Sequence, residues 1–175
     1  PREQLSMVNI ALHRPATCSS YENAGTTVDH LTDGDQSTRW GSKHDDGEYV
    51  TVDLGEEAKL YKLRLHWEAA YASQYKIQLS DDGKNFVDSK TVNSDGGYDD
   101  ILMDGASARY VRILGVRRAT SYGISLYELE AYGRLASMTD DDIQGVQISA
   151  NTDFLQQGRS VQLSAKAYTF GGQWA

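Results

Sequence analysis

The sequence has 175 residues, of which 39% are apolar and 24% charged, and its formal net charge is −8 at pH 7. This length allows one ordinary domain and part of a second, and the excess of acids argues against nucleic acid and anionic membranes as partners. No apolar run approaches the roughly 18 residues of a membrane span. The opening PREQLSMVNIAL has no apolar signal-peptide core, and we interpret residues 1–8 as an N-terminal edge cut from a longer protein.

Strand patterns dominate the chain from residue 49 onward. The segment YVTVDLG places Val50, Val52 and Leu54 on one face, and KLYKLRLHW alternates apolar and polar residues from Tyr61 to Trp67. YKIQLSDDG repeats the alternation and ends in Asp-Asp-Gly, which predicts a hairpin turn. ARYVRILGV and SLYELEAYG add two strand-like runs, and no segment has the period of a helix longer than about two turns. The chain is therefore predicted to be an all-β sandwich or barrel.

The composition changes after Gly133. RLASMTDDDIQG clusters acids without a strand period, and we interpret residues 134–143 as a linker. Residues 144–175 contain two alternating runs, around Val146 and Val161, which resemble the opening strands of a bacterial immunoglobulin-like module. Because such a sandwich needs roughly 100 residues, residues 144–175 are predicted to be a partial module of this kind or a structured extension.

The stretch LTDGDQSTRW, residues 31–40, concentrates oxygen donors on a predicted tight loop. Asp33, Asp35 and Thr38 are hard ligands, which select Ca²⁺ rather than zinc. The spacing does not fit an EF-hand, because no glutamate stands at the twelfth position. These residues alone leave three interpretations open: an ordinary acidic turn, a metal loop, or half of a catalytic carboxylate pair.

The sequence lacks the common catalytic motifs G-x-S-x-G, H-E-x-x-H and the P-loop. Its four histidines have no metal-ligand spacing, and His66, on the polar face of its strand, is expected to be solvated. The single cysteine, Cys18, excludes an internal disulfide and is expected to be a small buried hydrophobe. Trp40 and Trp67 have apolar neighbours at strand ends and are expected in the core. The residues indicate binding rather than catalysis.

Six motifs occur in order: NIALHRPATCSSYENAG, LTDGDQSTRWGS, YVTVDLG, YKIQLSDDGKNF, ARYVRI and SLYELEAYG. Together they resemble the coagulation-factor type C, or discoidin, domain over residues 9–133, and within it carbohydrate-binding module family 32. HWEAAYASQYKIQ and RRATSYGISLYELEAYG are still more similar to the branch attached to bacterial chitosanases and glucan-degrading enzymes. The resemblance implies a galactose-binding-like jelly-roll β-sandwich with ligand-binding loops at one end.

The resemblance also implies a structural Ca²⁺ at the loop of residues 31–40. Such an ion would explain why that loop is acidic. The implied ligands are four side chains, those of Asp33, Asp35, Thr38 and Glu128, and two backbone carbonyls, those of His30 and Tyr127. The competing interpretation is that Glu128 simply faces water.

A sugar site needs charged or amide side chains beside an exposed aromatic ring. The resemblance implies that Glu22 and Tyr122 face the ligand, and both positions match here. A second acid of that branch falls near Lys43 or His44, where this chain is basic or neutral. We therefore expect a neutral hexose or an N-acetylated sugar rather than cationic chitosan.

Other candidates for the sugar site are less closely matched. His44 corresponds to the loop histidine of galactose-binding members of the family. Those members also have an arginine after the middle strand, where this chain has Trp67 and Glu68. Glu68 is expected to matter less than Glu22. Arg117 and Arg118 either rim the site or are simply solvated.

The sequence thus predicts a non-catalytic carbohydrate-binding module of a secreted or cell-surface bacterial glycan-degrading enzyme. The module is expected to be a monomer within a multimodular chain and to tether the enzyme to its polysaccharide. The expected ligand is an oligosaccharide of hexose, amino sugar or N-acetylated sugar, with no nucleic acid or membrane partner. The alternative is a discoidin-type adhesion module that recognises protein or lipid head groups.

Overall fold

The computed structural model describes residues 8–139, 143–150 and 163–169, and Asn9–Ala136 forms one compact unit. The unit contains seven strands and one short 3-10 helix, Val28–Thr32. The strands are β1 (Ala16–Cys18), β2 (Trp40–Gly41), β3 (Tyr49–Trp67), β4 (Ala72–Ser80), β5 (Val87–Asn93), β6 (Tyr98–Arg118) and β7 (Ser125–Leu135). Their order in the sheet is β2-β7-β3-β6-β4-β5, with β1 beside the start of β3.

The long strand β3 bends at a break in its register. Residues 49–53 pair with the end of β6 and in part with β1, whereas residues 58–67 pair with β7 and, up to residue 66, with the start of β6. The register shifts between Asp53 and Ala58, where Gly55 has a φ of +90° that glycine adopts readily. All pairings are antiparallel. The predicted all-β jelly-roll β-sandwich is confirmed.

The core follows the predicted alternation except where a bulge reverses it. Val50, Val52 and Leu54 are fully buried, as predicted. In KLYKLRLHW, however, the register shifts between Leu60 and Lys62, so Leu60 is buried and Tyr61 is 37% exposed. A shift of one residue moves a side chain to the opposite face of a sheet. The expectation that Tyr61 faces the core was therefore wrong.

The hairpin predicted at Asp-Asp-Gly joins β4 to β5. Gly83 has a φ of +71°, and Asp82 accepts the backbone N–H groups of Lys84 and Asn85 at 2.9 and 2.8 Å. These bonds lower the pKa of Asp82 well below its usual value. The turn is thus stabilised by the Asp82 side chain, which accepts two backbone N–H groups, and by a glycine in the left-handed conformation.

The two tryptophans at the strand ends are buried, as expected. Two other expectations need correction. Cys18 is only half-buried. It is the last residue of β1, a three-residue strand off the main path of the sheet that has no fully buried residue. His66 is not simply solvated. Its ring stacks on that of Tyr98 with 4.1 Å between the ring centroids, and it also contacts the Tyr127 ring at a tilt. Partial burial lowers the pKa of His66.

The remaining described strands, β8 (Ile143–Ala150) and β9 (Leu163–Thr169), form an antiparallel hairpin in a separate unit. Residues 1–7 of the predicted N-terminal edge lie outside the described residues. The predicted boundary at Gly133 falls inside β7, which continues to Leu135. The immunoglobulin-like interpretation of residues 144–175 stays a prediction.

Within the described ranges, no helix is long and apolar enough to cross a membrane.

Candidate functional site

Loops before β2, after β3 and before β7 meet around a cavity of about 360 Å³. Short β2 pairs with the start of β7, which brings these loops together. The cavity is lined by Glu22, Arg39, Gly41, Ser42, Glu68, Ala69, Ala70, Thr120, Tyr122, Gly123, Ile124 and Ser125. Three residues predicted for the sugar site, Glu22, Glu68 and Tyr122, therefore share one concave surface.

The Glu22 carboxylate is held by two cationic or titratable neighbours. Its Oε2 atom lies 3.6 Å from Arg39 Nη2, and its Oε1 atom lies 3.6 Å from His44 Nε2. Arg39 in turn donates from Nη1 to Ser125 Oγ at 2.8 Å, and that hydroxyl donates to the Trp40 carbonyl at 2.9 Å. A fixed guanidinium therefore stands between the Glu22 loop and β7.

Sequence reasoning did not identify Arg39 as a site residue. It precedes the two-residue strand β2, too short to show a period of two. The sequence offered one indication of its orientation, the neighbouring tryptophan. Trp40 is buried, and successive side chains of an extended segment point to opposite sides. Arg39 therefore had to point away from the core.

Glu68 follows the last residue of β3. Its backbone N–H donates to the Ser125 carbonyl at 3.0 Å, and its Oε2 atom accepts the Ala70 N–H at 2.9 Å. Within the described residues, its Oε1 atom makes no hydrogen bond, so one carboxylate oxygen is available to a ligand. A second carboxylate thus lines the cavity from β3.

Tyr122 presents an exposed ring at the cavity. It is 61% exposed, and its ring meets His44 edge to face at 5.7 Å with an interplanar angle of 84°. The next residue must be glycine, because a Cβ at Gly123 would lie 2.3 Å from the Ser42 carbonyl oxygen. The expectation that Tyr122 is exposed is confirmed, and close backbone packing sets the path of its loop.

The structure does not bring two other predicted sugar-site residues into the cavity. Lys43 is exposed, and its backbone N–H bonds to Ser20 Oγ at 3.0 Å, but it is absent from the lining. Arg117, near the end of β6, is likewise exposed and outside the lining. His44 stands beside the cavity through its contacts with Glu22 and Tyr122.

At the acidic loop, Asp33 and Glu128 face each other. Glu128 is 1% exposed, so the interpretation in which it faces water was wrong. Its Oε1 atom accepts the Gly34 N–H at 2.9 Å, and Thr38 Oγ1 donates to Asp33 Oδ2 at 2.7 Å. Burial, together with a hydrogen bond to Asp33, raises the pKa of Glu128 to about 8. Partial burial opposes ionisation of Asp33, but N–H and hydroxyl donors, first that of Asp35, lower its pKa.

The other implied calcium ligands are placed differently. The Asp35 Oδ1 atom accepts both the N–H and the hydroxyl of Ser37, at 2.9 and 2.6 Å. Tyr127 falls between the pairs His66–Glu128 and Trp67–Leu126, at a bulge in the register of β3 and β7. In the part of the chain that the structure describes, no three His, Cys, Asp or Glu side chains gather as a metal site. The side-chain oxygens gathered at this loop are thus those of two carboxylates, Asp33 and Glu128, and one hydroxyl, Thr38.

Comparison with known proteins shows the family. The F5/8 type C domain matches residues 15–129, and the chain belongs to this family. It is similar to chitosan-binding module 1 of a chitosanase/glucanase from Paenibacillus sp. IK-5, with 43% identity and a TM-score of 0.69 over 72% of this chain and 99% of that one. Chitosan-binding module 2 of the same enzyme, solved with chitotriose, is 37% identical, with a TM-score of 0.69 over 71% of this chain and 100% of that one.

A more distant relative is a polysaccharide lyase 8 family protein, HylA, from Enterococcus faecalis. It is 31% identical over 109 residues, which cover 57% of this chain and only 8% of that protein. The chain thus spans a small part of this curated relative. The class predicted from the sequence, a non-catalytic carbohydrate-binding module, is confirmed by the family and by the two modules.

Proposed function

We propose that the cavity binds the end of a glucosamine-containing oligosaccharide. Glu22 and Glu68 both line it, and Arg39 is the one lysine or arginine among its described lining residues. Since Arg39 lies against Glu22, the carboxylate of Glu68 carries the uncompensated charge. An ammonium group offers three N–H donors and forms short, strong hydrogen bonds to a carboxylate. This second carboxylate in the cavity is the observation that carries the proposal.

The proposed sugar differs from the neutral or N-acetylated sugar expected from the sequence. That expectation depended on Lys43 or His44 occupying the position of a second acid. Lys43 lies outside the cavity, and Glu68 supplies the acid from another loop. The net charge of −8 also favours a cationic polymer over an anionic one. The 43% identity to a chitosan-binding module supports the same direction.

The rest of the cavity suits the neutral part of a sugar. The exposed ring of Tyr122 offers a face for the C–H side of a pyranose, and Arg39 offers N–H donors for hydroxyl groups. A volume of about 360 Å³ is near the lower end of small-ligand sites, which suits one or two sugar rings. Because few ring atoms are desolvated, we expect a dissociation constant of roughly 0.01–1 mM.

The module would act by tethering. We propose that it belongs to a secreted or cell-surface bacterial enzyme that degrades a glycan, as the Paenibacillus modules belong to a chitosanase/glucanase. Binding the polymer raises the effective concentration of an attached catalytic module at its substrate. A monomeric module is sufficient for this role.

We also propose a structural Ca²⁺ at the acidic loop. Asp33, Thr38 and Glu128 would hold it, with the backbone carbonyls of His30 and Tyr127. A buried carboxylate beside a second carboxylate fits a cation, because like charges otherwise force one of them to keep a proton. The ion would neutralise both acids and fasten the loop to β7. Asp35 would support the loop through Ser37 rather than bind the ion.

Calorimetric titration with three trisaccharides of equal linkage tests the proposed sugar. These are a glucosamine, an N-acetylglucosamine and a neutral glucose trisaccharide. We expect the glucosamine trisaccharide to bind most tightly, since only it carries ammonium groups. Equal or tighter binding of the N-acetylated sugar would contradict the role given to Glu68. Vesicles with anionic head groups serve as a further arm, and pelleting of the protein with them would instead favour the adhesion alternative.

A further inference from the structure

Arg118 joins the two loops beside the cavity without lining it. It is the last residue of β6, and its side chain is 23% exposed. Its Nη1 atom donates to the carbonyls of Ser121 and Tyr122 at 3.3 and 3.1 Å. Its Nε atom and backbone N–H both donate to Asp46 Oδ1, at 3.1 and 3.0 Å. One guanidinium therefore connects the backbone that carries Tyr122 to the loop that carries His44.

We propose that Arg118 is a positioning residue for the Tyr122 ring, with Asp46 as its anchor. The inference rests on the proposed function, because it assigns Arg118 to the same sugar site. A mobile aromatic loop loses conformational freedom when a sugar stacks on it, which weakens binding. A planar guanidinium that holds the loop backbone in advance removes part of that loss.

Two further contacts join the Tyr122 loop to the loop of residues 42–46. The His44 ring meets Tyr122 edge to face at 5.7 Å, and the Gly123 backbone packs against the Ser42 carbonyl. Asp46 stands two positions after His44. The two loops are therefore joined both by the contact between the His44 and Tyr122 rings and by the bond from Arg118 to Asp46. Hydrogen bonds from Arg118 lower the pKa of Asp46.

The adjacent Arg117 provides a matched control. It has the same charge and lies one position earlier, but it is exposed and makes no side-chain contact of this kind among the described residues. The sequence left open whether both arginines rim the site or are solvated. The structure separates them: Arg118 contacts the Tyr122 loop, and Arg117 does not.

The sign of the effect distinguishes positioning from bulk electrostatics. If Arg118 acted only through its charge, replacing it with a neutral residue would strengthen the binding of a cationic sugar. A positioning role predicts the opposite. We expect Arg118→Met to weaken binding of a glucosamine trisaccharide by about three- to tenfold, whereas Arg117→Met should change it by less than about twofold.

A double-mutant cycle tests the inference by calorimetric titration of wild type, Arg118→Met, Tyr122→Ala and the double variant. In the Tyr122→Ala background, Arg118→Met should change affinity by less than about twofold, because there is no ring left to position. An equal loss in both backgrounds, or unchanged or tighter binding by Arg118→Met, would overturn the positioning role. Asp46→Asn and Arg118→Lys, which keep the backbone contacts or the charge, should show smaller losses coupled in the same way. They decide the question if Arg118→Met does not fold.

The cycle also separates this inference from the proposed function. If Tyr122→Ala binds the trisaccharide like wild type, the sugar site itself is elsewhere, and Arg118 has no ring to position. If Tyr122→Ala binds weakly and Arg118→Met binds normally, only the positioning role is wrong.

Discussion

Gly34 donates its backbone N–H to Glu128 Oε1 at 2.9 Å, although 94 positions separate the two residues. The bond joins the acidic loop to β7 at a carboxylate that is fully buried. Glu128 therefore has a structural role with or without a metal. A bound cation would in addition keep both carboxylates, those of Asp33 and Glu128, ionised.

Calcium should stabilise the native protein, because an ion that binds only the folded state raises stability by mass action. We expect millimolar CaCl₂ to raise Tm by about 5–10 °C relative to EDTA. Asp33→Asn should melt at the same temperature in both solutions. Asp29→Asn, an exposed acid on the 3-10 helix, is the control and should keep the calcium response. Superimposable melting curves of the wild type with and without EDTA would exclude the site.

In EDTA, the stability of the protein should fall as pH rises from about 5 to about 8. Burial raises the pKa of Glu128 from 4.5 to about 8, so the native state keeps a proton that the unfolded state releases. The stabilisation is fully present below the unfolded pKa and is lost as pH rises through the folded pKa. Urea unfolding at several pH values measures this slope. Glu128→Gln, which cannot ionise, should flatten it, and an unchanged slope in that variant would assign the effect to another group.

The strands and the sugar site were predictable from the sequence to different degrees. Alternation identified Val50, Val52 and Leu54 correctly because β3 is regular there. It failed at Tyr61, because a bulge depends on the pairing partner and leaves no mark in local periodicity. Glu22 and Tyr122 came from the family resemblance rather than from any local pattern.

The second carboxylate of the cavity shows why the rest of the site was not predictable. The sequence offers several acid-bearing loops, and only the pairing of β3 with β7 brings Glu68 to Ser125 and thus into the cavity. Lys43, which lies nearer the expected position along the chain, is exposed and does not line the cavity. Long-range strand register decides such choices, and local sequence does not encode it.

The bulge in β3 predicts contrasting stability losses at adjacent residues. Leu60→Ala removes a fully buried side chain and should lower the free energy of unfolding by about 2–5 kcal/mol. Tyr61→Ala removes a partly exposed ring and should lower it by less than about 1 kcal/mol. Urea denaturation of both variants measures the difference. If Tyr61→Ala were the more damaging change, the simple alternation of KLYKLRLHW would be correct and the bulge wrong.

Glu22→Ala and Tyr122→Ala should each weaken sugar binding by about tenfold. The first removes a charged acceptor for sugar hydroxyls, worth about 1.5–3 kcal/mol, and the second removes the stacking face. Neither side chain is in the core, so Tm should change little. Lys43→Ala, from an exposed residue outside the cavity, is the control and should bind normally. Normal binding by both Glu22→Ala and Tyr122→Ala would move the site to the loop of Lys43, His44 and Asp45.

Glu68→Gln should change which sugar is preferred. The amide oxygen keeps an acceptor for the Ala70 N–H, so the loop should hold its shape. The negative charge that pairs with an ammonium group is lost, and binding of a glucosamine trisaccharide should weaken by about tenfold. Binding of the glucose trisaccharide of the same linkage should change by less than about twofold, since it carries no charge to pair with Glu68. Parallel titrations of the two sugars measure the ratio, with Glu57→Gln, a glutamate in the middle of β3 and outside the cavity, as the charge-matched control. Equal losses for both sugars would mean that Glu68 shapes the loop and does not select the amino sugar.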